Sequence, residues 1–356
     1  MDRFKLLDAG LCAFDLRMPD VTPSLCAATR YRSSTCRACL DVCPCGALVT
    51  SPWLELEAEK CSSCGACASV CRTGALALEL QHNALRDECR SQVTTCSPDR
   101  EPAVVLACRR SDSVMAEGPT YVMTCLGGLS AADLLAAAAL GAERIDLVSG
   151  ECAECADGPA EAALELAVAT ARQTMVALGE PLVVARTCLF GSASAGEATA
   201  TTMSRRGLFH YVAQSLGQTA TGAAPKNPQR SISALHRQVA PPATHRRLIL
   251  DLVELHARGN GSAVTLPGAL PLAGLAATSE CDTCGLCVSY CPHSAITVKG
   301  DSVACDVSSC TGCGLCVEAC PRSALRICPA LLMPRRPCEG EAATISEVGV
   351  PEQETA

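Results

Sequence analysis

The sequence predicts an α+β protein in which two cysteine-rich modules of βαββαβ type flank a small α/β domain with a parallel sheet. Cysteine-rich strings recur as a pair near each end of the chain, and strands alternate with helices between the pairs. A length of 356 residues suits two or three domains. We expect a first module over 1–100, the α/β domain over 101–190, a linker with short helices over 191–275, a second module over 276–330 and a disordered acidic tail over 331–356.

Charge and hydropathy exclude several classes of function. The net charge of −8 and the pI near 5.4 argue against affinity for nucleic acid or anionic membranes. The apolar stretch Ala131–Leu140 is shorter than the run of about 18 residues that a membrane span needs. The amino terminus has the wrong pattern for an export signal. We therefore expect a cytoplasmic protein without a membrane span, whose thiols stay reduced and available to metal.

Four short strings are rich in cysteine, and three of them share the spacing C-x2-C-x2-C-x3-C. The complete runs begin at Cys61, Cys281 and Cys310, and the shorter fourth run spans Cys36–Cys43. Thiolates at this spacing suit an iron–sulfur cluster, because the turn lets successive side chains reach different irons while backbone N–H groups face the sulfides. Zinc ribbons are the weaker interpretation, since they need neither a third cysteine nor the proline that follows several runs.

These strings resemble the bacterial two-cluster [4Fe–4S] ferredoxin family over Cys36–Leu76 and Cys281–Leu325. In that family the fourth cysteine of each run binds the cluster of the other run. The resemblance therefore implies about four [4Fe–4S] clusters in this chain. In the C-terminal module all of the implied ligands are present, namely Cys281, Cys284, Cys287 and Cys320 for one cluster and Cys310, Cys313, Cys316 and Cys291 for the other.

The N-terminal module departs from the pattern at one ligand position. The resemblance implies a complete site at Cys61, Cys64, Cys67 and Cys43, and an incomplete one at Cys36, Cys39 and Cys71. Ser33 stands where the missing cysteine belongs. The alternatives are a thiolate from Cys45, Cys26 or Cys12, an alkoxide from Ser33, or a [3Fe–4S] cluster; we favour a four-iron site completed by another ligand.

Two residues beside the expected ligands are also informative. Arg72 follows Cys71, where other runs have proline, and this predicts a more exposed cluster. His293 lies two residues after Cys291, and we expect it on the surface rather than hydrogen-bonded to a cluster.

The segment between the modules has the pattern of a parallel α/β sheet. We expect strands at Ala103–Cys108, Tyr121–Cys125, Ile145–Ser149 and Leu182–Ala185, with helices near Ala131–Leu140 and Ala160–Leu178. Open sheets of this type place their sites at the carboxyl ends of strands. Cys108, Cys125 and Cys152 lie at or just after such ends, and Cys155 follows closely, so the four thiols could converge.

Three short strings around these cysteines resemble the delta subunit of methyl-viologen-reducing hydrogenase, a family that carries a [2Fe–2S] cluster. They are Leu106–Cys108, Val122–Gly128 and Gly141–Cys152. The segment departs from that family in having two residues between Cys152 and Cys155 and no second cysteine beside Cys108. The alternatives here are a [2Fe–2S] cluster, zinc, or buried thiols that bind no metal.

Taken together, the patterns predict an iron–sulfur protein that relays single electrons to or from a redox enzyme or another electron carrier. The string Ser204–Phe209 is similar to strings in ferredoxin-like accessory proteins of molybdenum reductases and formate dehydrogenases. With the hydrogenase-like strings of the middle segment, it implies a partner of the formate dehydrogenase, molybdenum reductase or hydrogenase type. No arrangement of Ser or Cys with His and Asp indicates nucleophilic catalysis, so we expect an electron carrier rather than an enzyme. Two alternatives remain: a component of a reductase or hydrogenase complex with its own redox centre in the middle domain, and an assembly or maturation factor stabilised by clusters.

Overall fold

The computed structural model describes residues 18–96, 101–111, 120–179, 182–188, 249–250, 264–265, 270, 272–329 and 331–332. All of these belong to one compact unit. Cys12, most of the expected linker and nearly all of the expected tail lie outside the described residues. Within them, the protein is a mixture of short strands and helices around one larger sheet.

The N-terminal segment is built from short elements that alternate with the cysteine strings. In chain order they are β1 (Asp20–Val21), α1 (Ala27–Arg30), α2 (Ala38–Asp41), β2 (Leu48–Val49), β3 (Glu55–Leu56), α3 (Ala66–Ser69) and β4 (Leu76–Ala77). The first and last strands pair antiparallel, and β2 and β3 form an antiparallel hairpin. Few apolar side chains hold this segment together: Leu25, Leu48, Leu54 and Leu76 pack with several cysteines.

The middle segment contains the four-stranded parallel sheet that the sequence predicts. Its elements are α4 (Glu79–Thr94), β5 (Ala103–Cys108), β6 (Tyr121–Met123), α5 (Ala131–Ala139), β7 (Arg144–Ser149), α6 (Glu161–Ala177) and β8 (Val183–Cys188). The strand order is β6-β5-β7-β8, and every neighbouring pair is parallel. Because helices pack on such a sheet, the central parts of its strands are mostly apolar. Leu106, Ile145 and Leu147 are accordingly almost fully buried.

Helix α5 begins where its sequence signals a start. Ser130 is the N-cap, and its side chain accepts a hydrogen bond from the backbone N–H of Asp133. The Asp133 carboxylate in turn accepts from the backbone N–H of Ser130, which completes a capping box. Leu134 and Leu135 on this helix are buried in the main core.

Helix α4 is not among the predicted elements. Its apolar residues are sparse, and the helix is held against the sheet partly by polar contacts. Gln92 Oε1 accepts from the backbone N–H of Val105 at 2.8 Å, and Nδ1 of His82 lies 2.8 Å from the Asp133 carboxylate. Leu85 and Cys89 join the main core. Polar contacts of this kind leave no mark in hydrophobic periodicity.

The C-terminal segment repeats the element order of the N-terminal one. After β9 (Val264–Thr265) it contains β10 (Ala273–Ala277), α7 (Leu286–Tyr290), β11 (Ile296–Lys299), β12 (Ser302–Cys305), α8 (Leu315–Glu318), β13 (Leu325–Pro329) and β14 (Leu331–Leu332). Strands β11 and β12 form an antiparallel hairpin. Strands β10 and β13 also pair antiparallel, with Ala273 opposite Pro329. In both terminal segments a strand, a helix, a hairpin, a helix and a strand follow one another around the cysteines, and the N-terminal segment has the additional helix α1 before α2.

Candidate metal centres

The backbone of the three complete cysteine runs turns in the same way. The residues on either side of the second cysteine are left-handed in every complete run: Ser63 and Gly65, Thr283 and Gly285, and Gly312 and Gly314. This conformation is rare for residues other than glycine. In the shorter run the counterpart of Gly65 is Arg37, whose φ is −130°. The chain of the shorter run therefore turns differently between Cys36 and Cys39.

A second turn is common to all four runs. The third residue after the last cysteine is left-handed in each case, at Gly46, Gly74, Ser294 and Ser323. This turn directs the next backbone N–H back to the thiol in two of the runs. Ala47 N donates to Cys43 Sγ at 3.4 Å, and Ala295 N donates to Cys291 Sγ at 3.3 Å. Such N–H···S bonds favour the thiolate form that binds metal.

The structure brings together the cysteines of the complete N-terminal site. We call them group A: Cys43, Cys61, Cys64 and Cys67. They line one cavity with Leu48 and Leu56 of the β2–β3 hairpin. Cys45 lines the same cavity, and its Sγ lies 3.8 Å from that of Cys43. Cys45 is thus a fifth thiol at group A.

The remaining N-terminal thiols gather around Cys26, and we call them group B: Cys26, Cys36, Cys39 and Cys71. Cys26, Cys39 and Cys71 belong to one packed cluster of side chains. Partial burial raises the pKa of Cys36, and negative charge on Cys26 and Cys71 raises it further. Burial also raises the pKa of Cys39 to about 12, with further contributions from Cys71 and Cys26. Ser33 is exposed, whereas Cys26 is 7% exposed.

The C-terminal thiols form two groups, which we call group C (Cys291, Cys310, Cys313 and Cys316) and group D (Cys281, Cys284, Cys287 and Cys320). Group D lines one cavity with Asp282 and Arg322. In group C, Cys291 and Cys310 pack together with Cys305. Burial raises the pKa of Cys316 to about 12, and Cys313, Cys310 and Cys291 raise it further. Cys305 is therefore an additional thiol at group C, which the sequence patterns did not single out.

The four middle cysteines also line one cavity, and we call them the middle group: Cys108, Cys125, Cys152 and Cys155. Each of their sulfurs accepts a hydrogen bond from the chain. Gly150 N donates to Cys108 Sγ at 3.4 Å and Gly127 N to Cys125 Sγ at 3.4 Å. Asp157 N donates to Cys155 Sγ at 3.4 Å and Arg186 Nη2 to Cys152 Sγ at 3.3 Å. The carboxyl ends of β5 and β7 and the loop after β6 supply this site, as expected for an open α/β sheet.

Neighbouring groups lie against one another. Cys125 of the middle group packs in one cluster with Cys64 of group A. Cys67 of group A and Cys39 of group B are partners in the cluster that also holds Cys26. In the C-terminal segment, Cys316 of group C packs with Cys287 of group D.

The described cysteines are all free thiols. Across the described part of the chain, no three or more His, Cys, Asp or Glu side chains converge tightly enough to hold a single metal ion. A four-iron cluster places one thiolate on each of its irons, so its ligands surround a volume rather than meet at a point. Sulfur donors, left-handed turns and N–H···S bonds in these groups fit iron–sulfur clusters.

His293 lies in a position that the sequence did not predict. Instead of being on the surface it is 7% exposed, and its Nε2 lies 3.0 Å from the backbone oxygen of Thr73. The reason is a contact between the two terminal segments, which cover each other at this point. Sequence spacing within one segment carries no information about this contact.

Comparison with protein families identifies two 4Fe-4S domains in the chain. Residues 280–324 match the family described as 4Fe-4S dicluster domain, and residues 54–77 match the family described as 4Fe-4S binding domain. Comparison with curated proteins and with solved structures found no match. Among the described residues, no helix is long and apolar enough to cross a bilayer. The chain thus contains two 4Fe-4S binding domains, which support [4Fe–4S] clusters and point to an electron carrier.

Proposed function

We propose that this protein relays single electrons through four [4Fe–4S] clusters, two in each of two ferredoxin-like modules, to or from a partner redox enzyme. The observation that carries the proposal is the order of the thiol groups. The middle group lies against group A, group A against group B, and group C against group D. Bound to these thiolates, [4Fe–4S] clusters would accept and release one electron each.

Each group supplies one complete set of ligands under this proposal. Groups A, C and D correspond to the regular exchange of fourth cysteines between paired runs. In group B the fourth ligand is Cys26. It is buried and packed with Cys39 and Cys71, whereas Ser33 is exposed in a turn and Cys45 lies at group A. A four-iron cluster therefore needs no contribution from Ser33.

The middle group forms a fifth centre in this proposal. All four of its sulfurs accept N–H bonds, which stabilise thiolates. A [2Fe–2S] cluster takes two thiolates on each iron and so suits four sulfurs spread around one cavity. Zinc fits these sulfurs less well, because no three described side chains here converge tightly enough on a single ion, and metal analysis separates the two occupants. Because Cys125 packs with Cys64, this centre is positioned to exchange electrons with group A.

Group D is the outer member of the C-terminal pair of thiol groups. We place the contact with a partner protein at this group. Cys284 of this group is exposed, and Asp282 and Arg322 form a surface ion pair beside it, with Nε and Oδ2 2.8 Å apart. Exposure of a cluster ligand shortens the distance over which an electron passes to another protein. The partner is then a redox enzyme or carrier that docks at this face.

A redox titration followed by EPR tests the relay. Anaerobically purified protein should take up about one electron for each of four cubane clusters, reversibly. Cys284→Ala should remove one of these reducible signals. The matched control is Cys328→Ala, because Cys328 lies on β13 outside all of the thiol groups, and this variant should keep all of the signals.

Two results would contradict the relay. Clusters that resist dithionite would support a purely structural role, as in an assembly factor. Substrate turnover by the isolated chain would place the reaction in the middle domain and make the protein an enzyme.

A further inference from the structure

The two cysteine-rich segments meet along a surface next to groups B and C. The ring centroids of Tyr31 and Tyr290 are 5.2 Å apart, with the rings edge to face. The backbone N–H of Thr35 donates to the Glu318 carboxylate at 3.2 Å. Together with the contact of His293 to Thr73, these interactions place the shorter cysteine run directly against the C-terminal segment.

Arg30 is the most extensively bonded residue of this surface. Its Nε donates to the backbone oxygen of Tyr290 at 2.9 Å, and its Nη2 donates to that of Ser289 at 3.1 Å and that of Cys291 at 3.4 Å. The guanidinium thus covers the carboxyl end of α7, where free carbonyl groups attract positive charge. It lies close enough to Cys291 and Cys313 of group C to interact with their charge.

Arg72 makes a second contact from the N-terminal side. Its Nη1 donates to the backbone oxygen of Gly312 at 3.2 Å. A Cβ at position 312 would lie 3.1 Å from that nitrogen, so glycine leaves room for the contact. The charge of Arg72 interacts with the thiols of Cys313 and Cys310 in group C and of Cys36 in group B. Arg72 therefore lies between the two groups.

Each arginine lies close in sequence to a group B cysteine, at a point where the sequence departs from the regular pattern. Cys26 is the N-cap of α1, and Arg30 is the last residue of that four-residue helix. Arg72 directly follows Cys71, at the position where the other runs have proline. The same short stretches that complete group B thus also reach across to group C.

We propose that these departures form an electron-transfer junction between the modules, in which Arg72 holds positive charge between the clusters of groups B and C and Arg30 adds positive charge beside group C. The inference rests on the proposed function, since it requires those clusters. One electron passes from one cluster to the other and no atom is transferred. Because a reduced cluster carries one more negative charge, a nearby guanidinium favours the reduced state and raises the midpoint potential.

The number of affected clusters is the signature of the junction. Arg72→Gln should lower two of the four cubane midpoints, because Arg72 faces both groups, and Arg30→Gln should lower one, because Arg30 faces group C. We expect the reduced-to-oxidised ratio at a fixed potential to fall roughly three- to tenfold, about 28 to 59 mV for a one-electron couple. The control is Arg144→Gln, which removes an exposed charge on β7 and should leave every midpoint unchanged.

Iron content separates failure of the junction from failure of the relay. Wild-type protein with fewer than four reducible cubanes would overturn the proposed function. Wild-type protein with all four, together with fully loaded glutamine variants whose midpoints do not move, would overturn the junction alone.

If a glutamine variant loses iron, its midpoint potentials cannot be compared with those of the wild type. Lysine variants then test whether the positive charge sets the midpoint potentials. Arg30→Lys and Arg72→Lys keep the charge but not the forked donor group. Wild-type midpoints in both would support the junction. A midpoint drop in the fully loaded lysine variants would contradict it, because the charge would then not be the cause.

Discussion

The two cysteine-rich segments share an order of elements but differ in how closely they follow the regular ligand pattern. The C-terminal segment has every expected cysteine, and a dicluster family matches residues 280–324. In the N-terminal segment the family match covers residues 54–77, which contain only the complete run. The shorter run lies outside the match, and its Cys39 packs in one cluster with Cys26 and Cys71. Regular spacing therefore identifies three of the thiol groups, and tertiary packing identifies the fourth.

A second contrast separates both modules from the middle domain. The core of the middle domain is broad and mostly aliphatic, with Leu106, Leu134 and Ile145 nearly inaccessible. The C-terminal core consists largely of Ile296 and Leu325 packed with cysteines. Small cores of this kind need metal to remain folded. The comparison therefore predicts that the modules depend on their clusters and that the middle sheet does not.

Removal of the clusters should produce the largest effect. After anaerobic extraction of iron with a chelator, amide hydrogen exchange in the β11–β12 hairpin should approach that of an unfolded chain. Amides of β5 and β7 should stay protected, because their core is mostly aliphatic and borders the proposed middle centre only at its edge, through Cys108. Equal loss of protection in all of these strands would show that the contrast between modules and middle domain is wrong.

Replacement of Cys26 should produce the next largest effect. Cys26→Ala should lower the iron content by about four atoms per chain if the whole cluster is lost, or by about one if a three-iron cluster remains. Ser33→Ala is the matched control and should keep the wild-type iron content, because Ser33 is exposed. The reverse result, with iron lost only from the Ser33 variant, would restore the serine as the ligand.

A smaller effect concerns pH in the cluster-free protein. Burial raises the pKa of Cys89 to about 12 in the folded state, whereas the unfolded thiol titrates near its ordinary value of about 8.5. As pH rises, the thiol therefore loses its proton in the unfolded chain before it does so in the folded protein. The free energy of unfolding then decreases between about pH 9 and pH 12. The slope should be roughly 1.4 kcal/mol per pH unit for this thiol.

Urea unfolding of the middle domain at several alkaline pH values measures this slope. Cys89→Ala should have a shallower dependence than the cluster-free wild type. The slope should not vanish, because burial also raises the pKa of Cys125 to about 12. Identical slopes in the two proteins would mean that Cys89 ionises as readily in the folded state as in the unfolded chain.

Much of the architecture could be predicted from residue patterns. The predicted strands of the middle sheet all lie within two or three residues of the observed ones, because buried parallel strands are apolar runs bounded by turns. The exchange of fourth cysteines that the family resemblance implies also named the cysteines that line the cavities of groups A and D. Helix α4 was missed because polar contacts of Gln92 and His82 help to hold it.

Other features depend on contacts that spacing does not encode. Cys26 precedes the shorter run by ten residues, and it was only one of several candidates until packing placed it beside Cys39 and Cys71. The missing proline predicted an exposed site at Cys71, but Arg72 instead reaches the C-terminal segment. His293 is buried for the same reason. The positions of Cys26, Arg72 and His293 all depend on tertiary contacts between residues that are separated in the sequence.

Iron and acid-labile sulfide per chain, measured after anaerobic reconstitution, test most directly whether the irregular module holds two clusters as the regular one does. Four [4Fe–4S] clusters in the two modules correspond to about 16 irons per chain, and a two-iron cluster in the middle group raises this to about 18. A value of about 12 would contradict it, because the family-matched residues alone would then account for every cluster and group B would hold none.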